Sequence, residues 1–191
     1  MERSIKIGLR CCIVTATVAV SLSGFAALAQ SVSDPQTGLS VTPPPGYEAN
    51  PGPSRGRNTA VIDVKRAGDR DTGCKVAFQP AAENQGFTQA QINELVGTPQ
   101  RRTVIESTLG ILYQVRDVEQ IEHDGVRGST ATAAFKPIPG LPSRASEMMN
   151  VFYLLETPVG RTTVICISDK QDFADRRSEF DNVVRSVKLP R

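Results

Sequence analysis

A chain of 191 residues with 22 basic and 20 acidic side chains has too little charge excess for nucleic-acid or anionic-membrane binding. Its single histidine, His123, rules out a multi-histidine zinc site within one chain, and its 15 glycines fall singly at turns rather than in a phosphate-binding loop. The first 29 residues have an export pattern. Arg3, Lys6 and Arg10 precede the apolar run Cys11–Val20, and Ala27-Leu28-Ala29 sets small residues where a signal peptidase reads. Residues 1–29 are therefore expected to be a secretory signal peptide cleaved near Ala29, with the protein acting in the periplasm or outside the cell. The run is shorter than the roughly 20 apolar residues a spanning helix needs, and no later segment reaches that length. No stable membrane anchor is expected after cleavage.

Cleavage changes the arithmetic. Loss of Arg3, Lys6, Arg10 and Glu2 leaves 19 residues of each sign. Cys11 and Cys12 depart as well, leaving Cys74 and Cys166. In an oxidising compartment this pair reads as one disulfide, with two buried free thiols as the alternative.

Residues 30–38 are polar and expected to be a flexible lead-in to a single domain over 39–191. Leu39-Ser40-Val41-Thr42 alternates as a short strand, and the prolines and glycines of 43–57 make a loop. Strands are expected at 60–65 and from Cys74 to Phe78, joined by the turn-rich Ala67–Gly73. Thr88 and Gln91 form a capping box for a helix with Ile92, Leu95 and Val96 on its apolar side, stopped at Gly97. Pro99 opens a second helix with Val104, Ile105 and Leu109 inward and Arg101 and Arg102 solvated. A strand from Ile111 to Ile121 turns at Asp124-Gly125 into a return strand, 128–136. A three-proline loop leads to a strand over 148–156. That strand turns at 157–160 into a run around Cys166, apolar on both faces as a fully covered central strand would be. Phe173, Phe180, Val183, Val184 and Val187 recur at helical spacing over 171–187, with the charged residues between them read as a solvated face. Together these predict an α+β fold: an antiparallel sheet built from hairpins, covered by two short helices and a long C-terminal helix.

The short strand Leu39–Thr42, the proline-glycine-aromatic turn Pro44-Pro45-Gly46-Tyr47 and the closing helix from Phe173 through Phe180 to Val187 follow one another in an order that resembles the PsbP-like fold. That superfamily takes its name from the extrinsic subunit of photosystem II and includes a Ran-binding nuclear-import factor. The chain is similar also to exported proteins common in Gram-negative bacteria. The resemblance implies a binding or assembly role and transfers no site residue.

Chemistry-bearing patterns are sparse. On a strand Glu122 and His123 point to opposite faces, so His123 reads as a polar residue at a hairpin tip. Asp69-Arg70-Asp71-Thr72-Gly73 lacks the ligand spacing of a calcium loop and reads as a solvated turn. No G-x-S-x-G elbow or S-x-x-K is present. No catalytic, cofactor-binding or metal-binding residue is assigned. Two proline-rich loops, Pro43 to Arg57 and Lys136 to Arg144, are long for hairpin connections, and long loops on a rigid scaffold carry binding; in the second, Ile138 and Leu141 between Lys136 and Arg144 are the expected partner contact. The sequence thus points to an exported non-enzymatic domain that binds a protein or envelope component. The alternative is a small-molecule-binding or hydrolytic domain with a cleft of carboxylates and hydroxyls.

Overall fold

Period-two alternation dominates the chain, and a large sheet results. The computed structural model describes residues 30–191; the expected signal peptide lies outside the described residues. Strands β1 (Val32–Ser33), β2 (Ser40–Val41), β3 (Tyr47–Pro51), β4 (Ala60–Arg66) and β5 (Gly73–Pro80) come first, followed by helices α1 (Gln89–Val96) and α2 (Pro99–Leu109). Next come β6 (Tyr113–His123), β7 (Val126–Phe135), β8 (Met148–Thr157) and β9 (Gly160–Asp169). Helix α3 (Phe173–Arg185) and β10 (Val187–Lys188) complete the α+β fold.

Seven strands form one antiparallel sheet in the order β3-β4-β5-β9-β8-β7-β6. Each hairpin is sequential except the join of β5 to β9, which brackets both short helices and three strands. At that join Cys74 lies directly opposite Cys166, with Cα atoms 4.0 Å apart, and the two form a disulfide. The bridge therefore staples the two halves of the sheet where the chain itself does not connect them.

One sheet face carries the main core. Val64, Val76, Val151, Leu155 and Val164 point into it, and α3 covers them with Phe180, Val183 and Val184. Both cysteines belong to this core and are almost fully buried. A small sheet of β1, β2 and β10 caps its edge, with Val41 and Val187 in register and buried in the same core. Residues 30–38, read from sequence as a flexible segment, thus hold β1, paired with β2.

The opposite face carries a smaller core. Ile105 of α2 packs on Val118, Ala131, Ala133 and Phe152, with Leu109 and Val115 at its margin. The alanines of β7 leave room for the helix to approach. A bulge between Val115 and Asp117 places Val115 and Val118 on the same face, although an odd spacing would otherwise separate them.

Local signals are realised where the backbone demands them. The Thr88–Gln91 capping box forms in full, and Pro99 occupies the first turn of α2. Asp124 and Gly125 take φ of 55° and 74°, the geometry of a two-residue type I′ hairpin turn. Three side-chain expectations fail. Leu95 and Val104 are 56% and 52% exposed, because the helices turn Ile92, Val96, Ile105 and Leu109 toward the sheet instead. Asn93 docks α1 instead, donating to the Gly125 carbonyl and accepting from the Arg127 amide, each at 2.9 Å. Ile111 is exposed in the turn that ends α2, so β6 starts at Tyr113.

The charged residues of α3 are not simply a solvated face. Arg176 is 7% exposed, and its guanidinium donates to both carboxylate oxygens of Asp69 at 2.8 and 3.2 Å and to the Tyr47 hydroxyl at 3.2 Å. Tyr47 in turn donates to Glu179 at 2.6 Å. Helix α3 is thereby tied to the turn between β4 and β5.

Candidate functional site

Helices α1 and α2 lie over β6, β7 and β8, and they leave the rest of their face of the sheet open. The burial of β9 shows it. Inward residues from Gly160 to Ser168 are buried, whereas the outward row Arg161, Thr163, Ile165, Ile167 and Asp169 is half-exposed along its length. A central strand with an open face departs from the sequence expectation of cover on both sides. The apolar residues Ile165 and Ile167 hid this, because an apolar residue in a strand does not report whether anything sits above it.

This open strip is the floor of a groove of about 300 Å³, lined by Ile165, Ile167, Tyr113, Lys65, Lys75 and Asp71 among others. The sheet positions each of them. Asp63 and Lys75 are directly opposed on β4 and β5 and form an ion pair across the strands. The Lys65 ammonium donates to the Arg70 carbonyl at 3.0 Å. Gly73 opens β5 at φ 107°, and a Cβ there would lie 2.8 Å from the Val64 carbonyl oxygen, so only glycine brings this corner so close. Tyr113 is wedged against Phe135 and Phe152, with ring centroids 4.6 and 5.1 Å away. Burial pushes its hydroxyl pKa above the ordinary tyrosine value.

The loop expected to touch a partner borders this groove. Arg144 forms ion pairs with Asp71 on the groove rim at 2.8 Å, with Glu147 at 3.1 Å and with Asp169. Hydrogen bonds to Asp71, Asp169 and Glu147 raise its pKa further, and it stays charged throughout the accessible range. The Lys136 ammonium donates to the Gly110 carbonyl. Both cations therefore hold the loop in place. Leu141 is 38% exposed and Ile138 half-buried, leaving these two as the loop's accessible apolar residues.

Other sequence candidates fall elsewhere. His123 sits at the far end of β6 and bonds through Nε2 to the Val187 carbonyl at 2.7 Å, which ties β10 to the β6–β7 hairpin. The acids of the Asp69–Gly73 turn are taken by arginines: Asp69 by Arg176 and Asp71 by Arg144. Arg101, expected to be solvated, pairs with the buried carboxylate of Glu156, which also receives Arg161 at 3.1 Å. Among the described residues there is no cluster of three or more His, Cys, Asp or Glu placed to hold a metal ion. No helix among them is long and apolar enough to cross a membrane. The charged groups on the rim are engaged, Asp63 with Lys75, Asp71 with Arg144 and Lys65 with the Arg70 carbonyl, so what the groove offers a ligand is an apolar floor with a charged rim.

No protein-family model matches the chain, and no curated protein matches it in sequence. Among solved structures, the chain is similar to the solution structure of cyanobacterial PsbP from Synechocystis, with a TM-score of 0.55 and 14% identity over 88% of this chain and 97% of that one. The likeness shows the fold, and the PsbP-like architecture expected from the order of elements is present.

Proposed function

We propose that the protein is an exported, non-enzymatic domain that binds a protein or another envelope component through the open groove over β9. The half-exposed apolar pair Ile165 and Ile167, on a strand fixed by a buried disulfide, carries the proposal. A contiguous apolar strip on a rigid scaffold, rimmed by charge, has the make-up of a docking surface. The signal-peptide pattern of residues 1–29 supports a periplasmic or secreted setting, and the fold likeness supports a binding role by analogy. Leu141 and Ile138 are the accessible apolar residues of the neighbouring loop, which Arg144 anchors to the rim, and would add to the contact.

A photo-crosslinking residue at position 165 or 141 should capture one discrete partner in the native envelope, and the same probe at exposed position 188 should not. Absence of any adduct at 165 and 141 in folded protein would refute the proposal. The groove volume of about 300 Å³ falls at the low end of small-ligand sites and favours, as a second reading, a small molecule seated against Tyr113. Thermal-shift screening against a metabolite library separates the two.

A further inference from the structure

One wall of the groove is a side chain held by its ring alone. Tyr113 is the first residue of the edge strand β6, is half-buried, and makes no hydrogen bond through its hydroxyl among the described residues. Its ring meets Phe152 edge-on and Phe135 at a tilt. The ladder defines what lies beneath. Ala133 of β7 is directly opposite Asn150 of β8, and Asn150 is directly opposite Ile167 of β9, so all three share the groove face. Phe135 and Phe152 each lie two residues further along these antiparallel strands, on the same face at opposite ends of the Ala133–Asn150 pair. Tyr113, lodged between the two rings, therefore lies across that pair, and the small Ala133 leaves room for it.

Asn150 is fully buried under this cover. Its Nδ2 donates to the Ala133 carbonyl at 3.3 Å, but its Oδ1 has no hydrogen-bond partner. A buried amide oxygen left without a donor is costly and rare in folded proteins. The side chains beside it, Ala133, Ile167 and Phe152, carry no donor. The row across the sheet at this level runs Val115, Ala133, Asn150, Ile167 and Gly73, and none of these is charged.

We infer that the space under Tyr113 is a ligand site, and that its ligand is a small uncharged aromatic ring carrying one N–H or O–H donor, a phenol or an indole. Tyr113 swings out, the ring takes its place between Phe135 and Phe152, and the donor bonds to Asn150 Oδ1. This rests on the second reading given above, a small molecule seated against Tyr113. Tyr113 surrenders no hydrogen bond on leaving, and the incoming ring restores the edge-to-face contact with Phe152. An ion is disfavoured, because it would shed water in a row without a counter-charge. Asn150 is one strand in from the floor on β9, so a peptide along the groove would have to reach across Ile167. The occupant is thus a free molecule.

The test expresses the full chain and uses the exported protein. NMR titration follows the Asn150 side-chain amide and the Ile167 methyls with p-cresol and indole, and with 4-methylanisole and 1-methylindole, which keep the ring and lose the donor. The donor forms should bind about threefold to tenfold more tightly than their methylated counterparts. Asn150→Leu, close in size, should remain folded by thermal unfolding and erase that difference; the wild-type comparison decides the matter if it does not fold. Tyr113→Ala removes the cover and should tighten binding of every ring. Equal binding of methylated and unmethylated rings, or a preference that survives Asn150→Leu, overturns the donor assignment and leaves the second reading standing. Weaker binding to Tyr113→Ala makes Tyr113 a contact and overturns its role as a lid. An acetyl-glycyl-tyrosyl-glycinamide peptide that binds as tightly as p-cresol overturns the free molecule in favour of a docked side chain. No binding of any ring to wild type or to Tyr113→Ala overturns both the site and the second reading.

Discussion

Replacing Cys74 and Cys166 with alanine should lower stability by about 3 kcal/mol without altering the fold. The bridge joins residues 92 apart, so it closes a ring containing α1, α2 and three strands of the sheet. The chain-entropy relation gives about 4–5 kcal/mol for a ring of that length, and measured effects generally run at 2–4. The two residues are neighbours across β5 and β9 regardless of the bond, since seven further residue pairs hold those strands in register. The native state therefore survives the substitution, and the loss comes from freeing the unfolded chain. For a domain of this size, 3 kcal/mol corresponds to a fall in Tm of about 6–12 °C. Urea titration of wild type and the double variant, monitored by circular dichroism, should show a lower midpoint with overlapping native spectra. Because both sulfurs are nearly inaccessible, reductant should attack only after opening, so the rate of bond loss should track the unfolding rate. A variant midpoint equal to that of wild type, or fast reduction of the folded protein, would refute the reasoning.

Further expectations follow from the ion pairs and the sheet. Glu156→Gln removes the carboxylate between Arg101 and Arg161 and should cost about 2–4 kcal/mol in urea titration, with hydrogen exchange rising first in α2. Asp69 should contribute to acid sensitivity: burial raises its pKa, but hydrogen bonds from Arg176, Thr72 and the Arg66 amide outweigh that and hold it below the ordinary aspartate value. The stability from its depressed folded-state pKa is present above the unfolded aspartate pKa of about 4 and is lost as pH falls through the lower folded value. Asp69→Asn should therefore be less stable at neutral pH and lose less than wild type on acidification, read as unfolding midpoints across pH. Gly160→Ala should destabilise by about 1–3 kcal/mol, because its Cβ would lie 2.6 Å from the Phe78 ring and closer still to the Gln79 carbonyl oxygen. An unchanged Tm for this variant would argue against the Pro80–Gly160 register.

Much of the fold was legible because its signals are local. The Thr88–Gln91 box, Pro99 and Asp124-Gly125 each specify backbone geometry within a few residues, and alternation marks the strand faces. The pairing of Cys74 with Cys166 was legible only from cysteine count and compartment, yet it proved to link directly opposed residues. What sequence could not show is partnership across distance. Asp69 and Arg176 are 107 positions apart, and Asp71 and Arg144 are 73 apart, so the turn read as solvated carries two anchoring ion pairs. The groove was hidden for a related reason: Ile165 and Ile167 look the same in sequence whether α2 covers them or stops short. The loop from Lys136 to Arg144 drew notice in the sequence for its two flanking cations, and both turn inward to hold it.

The bulge in β6 bears on how the protein behaves when crowded. An eleven-residue edge strand offers a row of unpaired backbone groups on which another chain could add itself. Between Val115 and Asp117 the ladder slips by one residue, with Arg116 as the extra one, and the local twist this introduces breaks the flat run such addition needs. Exposed charged side chains, Arg116, Glu119 and Glu122, also stud this strand and discourage close approach of a second edge. The kink that lets Val115 and Val118 share one core thus also guards the open border of the sheet against fibrillar growth.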